Sequence, residues 1–189
     1  MQRSSSPTDP PEPRTRSWLS WGRLLDVLAI AVIAFVAWKW FVAPRAFDRA
    51  SKAFEAPHVT YKQLDGGTFA LTAHRGRVVF LDFWASWCEP CRLSLPLAEG
   101  YAKAHPEVDV VPVNVGEPRI AAATYAKAHD LRGVVLDPQY VSQGYFAIEG
   151  LPTMVVIDPQ GRIRATWAGF NPLLAANMEN ARKTLTAGG

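Results

Sequence analysis

Two kinds of hydrophobic patterning divide the chain. Leu24–Ala43 is apolar except for Asp26 and Lys39. Its unbroken centre, Val27–Trp38, has twelve residues, and both ends together make twenty. Twenty residues give about 30 Å of helix, enough to cross a bilayer. Asp26 falls in the first turn of such a helix, and Lys39 can snorkel from the last. Trp18 and Trp21 before the run, with Trp38 and Trp40 at its end, match interfacial belts. Phe41 and Pro44 around Ala43 do not suit a cleavage site, so the run reads as an uncleaved anchor. Residues 1–23 are polar and proline-rich, with no face to bury, and read as a disordered tail.

Beyond a mixed-charge connector at 44–56, the pattern becomes that of a folded domain, residues 57–189. Thr60–Gln63 and Thr68–Leu71 flank Asp65-Gly66-Gly67, a hairpin signal. Val78–Trp84 is an apolar, β-branched and aromatic run of the kind a buried central strand needs. Leu93, Leu97 and Tyr101 then recur at helical spacing to about Ala104, with Pro96 expected to kink that helix. Val108–Val115 reads as a second core strand. An alanine-rich helix follows to His129, with Pro118 at its first position. Val134–Leu136 reads as a short strand and Val141–Phe146 as a short helix. Thr153–Ile157 and Arg162–Trp167 are strands joined by the turn Asp158-Pro159-Gln160-Gly161. Asn171-Pro172 marks the start of a last helix that carries Leu174, Met178, Ala181 and Leu185 on one face.

Charge narrows the function. The net charge of +3 divides into +2 on residues 1–43 and +1 on the remainder, so the domain is nearly neutral. It has no basic block and no aromatic–basic interleaving, which excludes a nucleic-acid binder. Arg3, Arg14, Arg16 and Arg23 before the apolar run are matched by Lys39, Arg45, Arg49 and Lys52 in and after it. Charge counting therefore does not orient the anchor.

The chemistry lies in the chain's two cysteines, Cys88 and Cys91, directly after the central strand. Their Cys-x-x-Cys spacing lets them cycle between dithiol and disulfide in a turn. Placed at a helix start, Cys88 would be held as thiolate by unpaired amide N–H groups and the positive end of the dipole. Cys91, one turn in, would be the shielded resolving thiol. A purely structural disulfide closing so short a loop would remove little entropy from the unfolded chain. A structural zinc site needs about four ligands, and His58, His74, His105 and His129 are scattered. Two inert buried thiols fit poorly with the flanking Trp87 and Pro90, which suit an exposed turn.

Phe83-Trp84-Ala85-Ser86-Trp87-Cys88-Glu89-Pro90-Cys91-Arg92 resembles the active-site segment of the thioredoxin superfamily. More narrowly, it is similar to membrane-anchored, extracytoplasmic thiol–disulfide oxidoreductases of the TlpA/ResA type, a similarity running from about His58 to the C-terminus. Pro112–Glu117 and the gap of sixty-one positions from Cys91 to Pro152 are similar to the ResA branch. The resemblance implies an α/β thioredoxin fold: a central mixed sheet flanked by helices, with an extra N-terminal hairpin and a helix–strand insertion. It implies a cis peptide before Pro152, facing the cysteine turn and leaving the Leu151 backbone free to pair with an extended substrate. Asp82, where a thioredoxin carries its buried acid, would take the proton from Cys91. Trp87, Glu89, Pro90 and Leu151 are the candidate substrate-binding residues. Glu89 disfavours the thiolates by repulsion and so favours reduction.

One departure stands out. Many TlpA/ResA proteins carry a Glu three residues after the second cysteine, where this chain has Ser94. The resemblance further implies no cofactor or metal, a cytoplasmic N-terminus and an extracytoplasmic domain. It implies a membrane electron donor and a protein disulfide substrate such as the haem-binding cysteines of an apocytochrome c. A disulfide oxidant or isomerase would use the same residues with electron flow reversed. A Cu(I) chaperone would bind through both thiolates, with Met154 the candidate third ligand. Sequence leaves both open.

Overall fold

In the computed structural model, which describes residues 18–37 and 53–187, the run Val79–Trp84 becomes a strand with all six side chains buried. The elements in order are α1 (Trp18–Ala37), β1 (Phe54–Glu55), β2 (Thr60–Gln63), β3 (Thr68–Ala70) and β4 (Val79–Trp84). They continue with α2 (Glu89–Ala104), β5 (Asp109–Val115), α3 (Arg119–Ala128), β6 (Val135–Asp137) and α4 (Ser142–Phe146). β7 (Thr153–Ile157), β8 (Arg162–Ala168) and α5 (Leu174–Thr186) complete the chain.

The eight strands form one sheet in the order β1-β8-β7-β4-β5-β6-β2-β3. β4, β5 and β6 run parallel, and the other pairings are antiparallel. The period-2 alternation of a strand sends alternate side chains of β4 to opposite layers. Val79, Leu81 and Phe83 pack with Val113, Val155, Tyr61, Phe69 and Phe146. Phe80 faces the other way, with Met154, Val156 and Trp167, under Ala98 and Tyr101 of α2 and Met178 and Ala181 of α5. Full burial of each Leu or Phe here contributes about 2–3 kcal/mol. The hairpin β2–β3 turns through Gly66, whose φ of 96° favours glycine, and docks on β6. The N-terminal hairpin and the inserted β6 and α4 thus form one outer flank of the sheet.

Several boundaries differ from the sequence reading. β1 pairs with β8 inside the stretch expected to be connector, so the sheet begins before residue 57. α2 keeps its expected end at Ala104, with Pro96 inside it. Pro118 is the residue before α3 rather than its first residue, with an extended backbone at φ −63° and ψ 145°. Asn171 does not cap α5 directly. Its Oδ1 accepts the Leu173 N–H at 2.8 Å, making a side-chain turn that delays the helix to Leu174.

α1 belongs to a separate unit. Its side chains from Leu24 to Val36 are largely exposed, Leu25, Ile30 and Ile33 among them. No helix among the described residues is long and apolar enough to cross a membrane. The expected anchor extends to Ala43, and residues 38–43 lie outside the described residues, as do residues 1–17 of the tail and 44–52 of the connector.

Candidate functional site

β4 ends in the sheet interior, and Ala85-Ser86-Trp87 carries the chain to α2. Cys88 is the residue that caps this helix, with φ −81° and ψ 101°. Its Sγ accepts the Cys91 N–H at 3.3 Å. Its own N–H donates to the Ala85 carbonyl at 3.1 Å. Cys88 and Cys91 are joined as a disulfide with Cα atoms 5.3 Å apart. Cys88 is 4% exposed and Cys91 0%, so an attacking thiolate meets Cys88 first. The helix start places amide donors and the positive end of the dipole at Cys88, which favours its thiolate once the bond is reduced. Trp87 is 68% exposed, and Glu89 and Pro90 also face solvent. Glu89 pairs with Arg92 at 3.3 Å.

The peptide between Leu151 and Pro152 is cis. Leu151 packs against the cluster containing Trp84, Cys88, Cys91 and Leu95. Pro152 is buried, and its carbonyl accepts the Gly169 N–H at 2.8 Å, fastening this turn to the end of β8. The next residue, Thr153, pairs with Phe83 of β4. The Phe83–Thr153 pairing thereby brings segments far apart in sequence together at one end of the sheet.

Asp82 lies on β4 between Phe80 and Trp84, which share its face. It is 2% exposed, its cross-strand partners are Pro112 and Met154, and its Oδ2 has no hydrogen-bond partner. Burial, reinforced by the like charge of Glu99, pushes its carboxyl up to about 7. Ser94, three residues after Cys91, is buried, and its hydroxyl donates to the Cys91 carbonyl at 3.2 Å.

Two carboxylates at the site were not singled out from sequence. Glu117, beyond β5, accepts from the Ser86 N–H at 2.8 Å, from the Ser86 hydroxyl, and from Asn114 Nδ2 at 2.7 Å. It ties the loop leading into the cysteines to the neighbouring strand end. Its signal was an acid two residues past β5, a strand that is apolar from Val110 to Val115 except for Asn114. Glu99 is half-buried on α2, two turns beyond Cys91. Met154 sits in the apolar cluster under α2 and α5, not in the one that holds the cysteines. Among the described residues no group of three His, Cys, Asp or Glu could hold a metal ion.

A mixed sheet that delivers a Cys-x-x-Cys disulfide to a helix start beside a cis-proline turn defines a thioredoxin-like thiol–disulfide oxidoreductase. The AhpC/TSA family profile matches residues 53–166, and the chain belongs to that family. It is 34% identical over 119 residues to the thiol–disulfide oxidoreductase ResA of Bacillus subtilis, a match covering 61% of this chain and 66% of that protein. Just under two thirds of that relative is therefore spanned. Among solved structures, a Chlorobium tepidum protein assigned as a thiol:disulfide interchange protein DsbE superposes with a TM-score of 0.63 at 28% identity. That match covers 72% of this chain and 96% of the other. The exposed lipoprotein thioredoxin Etrx1 of Streptococcus pneumoniae gives 0.59 at 29% identity, covering 66% and 98%.

Proposed function

We propose that the protein is a membrane-anchored reductant of protein disulfides outside the cytoplasm, with the haem-binding cysteines of an apocytochrome c as its substrate class. The observation that carries this reading is the asymmetry of the disulfide: Cys88 slightly exposed at the helix start, Cys91 fully buried one turn in. In the reduced protein the Cys88 thiolate attacks a substrate disulfide, forming a mixed disulfide and releasing one substrate thiolate. Asp82 takes the proton from Cys91. The Cys91 thiolate then attacks Cys88 Sγ, releasing the second substrate thiolate and re-forming Cys88–Cys91, so two electrons pass to the substrate. The Leu151 backbone pairs with the substrate strand beside Pro152, and Trp87, Glu89 and Pro90 frame the docking edge. A membrane thiol-reducing donor restores the dithiol.

The anchor rests on α1 and the apolar sequence that continues beyond it to Ala43. The tail is cytoplasmic and the redox domain extracytoplasmic, a reading supported by the likeness to an exposed lipoprotein thioredoxin.

The test uses the full chain in detergent, reduced and mixed with an oxidised Cys-x-x-Cys-His peptide. The Cys91→Ser variant should accumulate a mixed disulfide through Cys88, and Cys88→Ser should trap nothing. A reduced protein that leaves the peptide disulfide intact, with no trapped species in either variant, would overturn the reading.

A further inference from the structure

On the outer flank of the sheet, β2 stops pairing with β6 at Lys62 and Leu136. The same register would set Thr60 opposite Pro138, which has no N–H to give, so the ladder ends there. Beyond that point lies a cleft of about 570 Å³, lined by Thr60, Lys62, Arg119, Val141 and Tyr145 among others. A volume of this size is typical of a ligand site. Among the described residues that line it are neither of the cysteines, nor Trp87, nor the cis-proline turn.

Backbone groups along β2 alternate between its two neighbours. Gln63 donates to Gly67 and Val59 accepts from Leu71, both on the β3 side, whereas Leu64 donates to Val134 on the β6 side. That alternation turns the N–H and carbonyl of Thr60 into the cleft. They form a short open strand edge, the kind of surface on which an extended peptide adds a strand.

The side chains say which peptide suits it. Lys62 and Arg119 are exposed, and Arg119 is held in place by the carbonyls of Gln63 and Leu64. Among the described residues lining the cleft, Asp137 is the one acid. It is buried, and its two oxygens accept the N–H groups of Val141 at 3.0 Å and Ser142 at 2.9 Å, so its charge is turned inward. Val141 and Tyr145 are exposed and offer an apolar shelf. The buried Tyr61 hydroxyl bonds to the Ser142 hydroxyl at 2.6 Å and braces β2 against α4, so the cleft is preformed.

We propose that this cleft is a second docking site, which takes an extended acidic segment of a partner protein by strand addition at Thr60. Carboxylates of the segment meet Lys62 and Arg119, and an apolar side chain rests on Val141 and Tyr145. A basic segment would be repelled by the same two cations. Such docking needs neither Cys88 nor Cys91 and is independent of the direction of electron flow.

The experiment uses the full chain in detergent and a short fluorescein-labelled peptide of alternating glutamate and valine. Binding is followed by fluorescence anisotropy, and amide hydrogen exchange is read at Thr60. The peptide should bind and protect the Thr60 amide. Lys62→Glu and Tyr145→Ala, both at exposed positions, should each weaken binding about tenfold or more. Methylating the peptide's backbone nitrogens should weaken it as much. No binding, or equal binding of a lysine–valine peptide, would overturn the proposal. Binding that survives both variants would place the peptide elsewhere and overturn it too. A methylated peptide that binds equally well, with Thr60 exchange unchanged, would leave a simple anion site and overturn strand addition.

Discussion

Asp82 inside β4 and Glu117 just beyond the parallel neighbour β5 are both buried carboxylates, and the fold equips them in opposite ways. Glu117 receives three donors, two from Ser86 and one from Asn114. Asp82, on β4, leaves Oδ2 without a partner, and burial raises its carboxyl. A fully satisfied buried acid is scaffold: it holds a loop. A buried acid denied its partners keeps a high proton affinity, which stability alone would not select. The contrast separates the residue that ties down the loop leading into the cysteines from the residue proposed to exchange protons with them.

Breaking the scaffold side should have the largest effect. Glu117→Ala strands the Ser86 N–H and the Asn114 amide, and should cost about 3 kcal/mol in urea unfolding of the oxidised protein. A loss under about 1 kcal/mol would mean that water or a rearranged loop replaces the carboxylate.

Breaking the chemical side should slow catalysis while helping stability. The Asp82 carboxyl moves from 3.8 to about 7 on folding. A raised carboxyl makes the folded state bind the extra proton, so its favourable contribution is full below pH 3.8 and is lost as pH rises through about 7. The shift sets a ceiling of about 4 kcal/mol. Asparagine still buries an unpartnered amide, so Asp82→Asn should gain about 2 kcal/mol at pH 8 and nothing near pH 4. Resolution of the mixed disulfide should slow about a hundredfold. A difference from the native protein that is the same at both pH values would contradict the raised Asp82 carboxyl.

The smallest effect sharpens the comparison at the surface. The Glu89–Arg92 pair has side chains 80% and 50% exposed. Glu89→Gln should therefore change stability by less than about 0.5 kcal/mol in the same unfolding assay. A larger change would give this exposed acid a structural role that the buried pair does not need.

Local signals carried most of the fold into view. The apolar run before Cys88, the Asp65-Gly66-Gly67 turn and the proline before a β-branched strand each act within a few residues, and each forms where the pattern places it. Asp82 was legible because a charge in a fully apolar strand has no ordinary explanation. Glu117 and Glu99 were not, because their meaning is spatial. Glu117 reaches a residue thirty-one positions away, which requires knowing that β4 and β5 lie side by side. Glu99 matters only once α2 is laid across Asp82. The helix starts at Pro118 and Asn171 slipped because the backbone stays extended at one and a side-chain turn intervenes at the other.

The direction of electron flow is tested most directly by the reduction potential of the Cys88–Cys91 couple in the full chain, equilibrated in dithiothreitol buffers. The account predicts a value near or below that of thioredoxin, about −270 mV. A value near the strong oxidants, about −120 mV, would contradict it and make the same residues a disulfide donor.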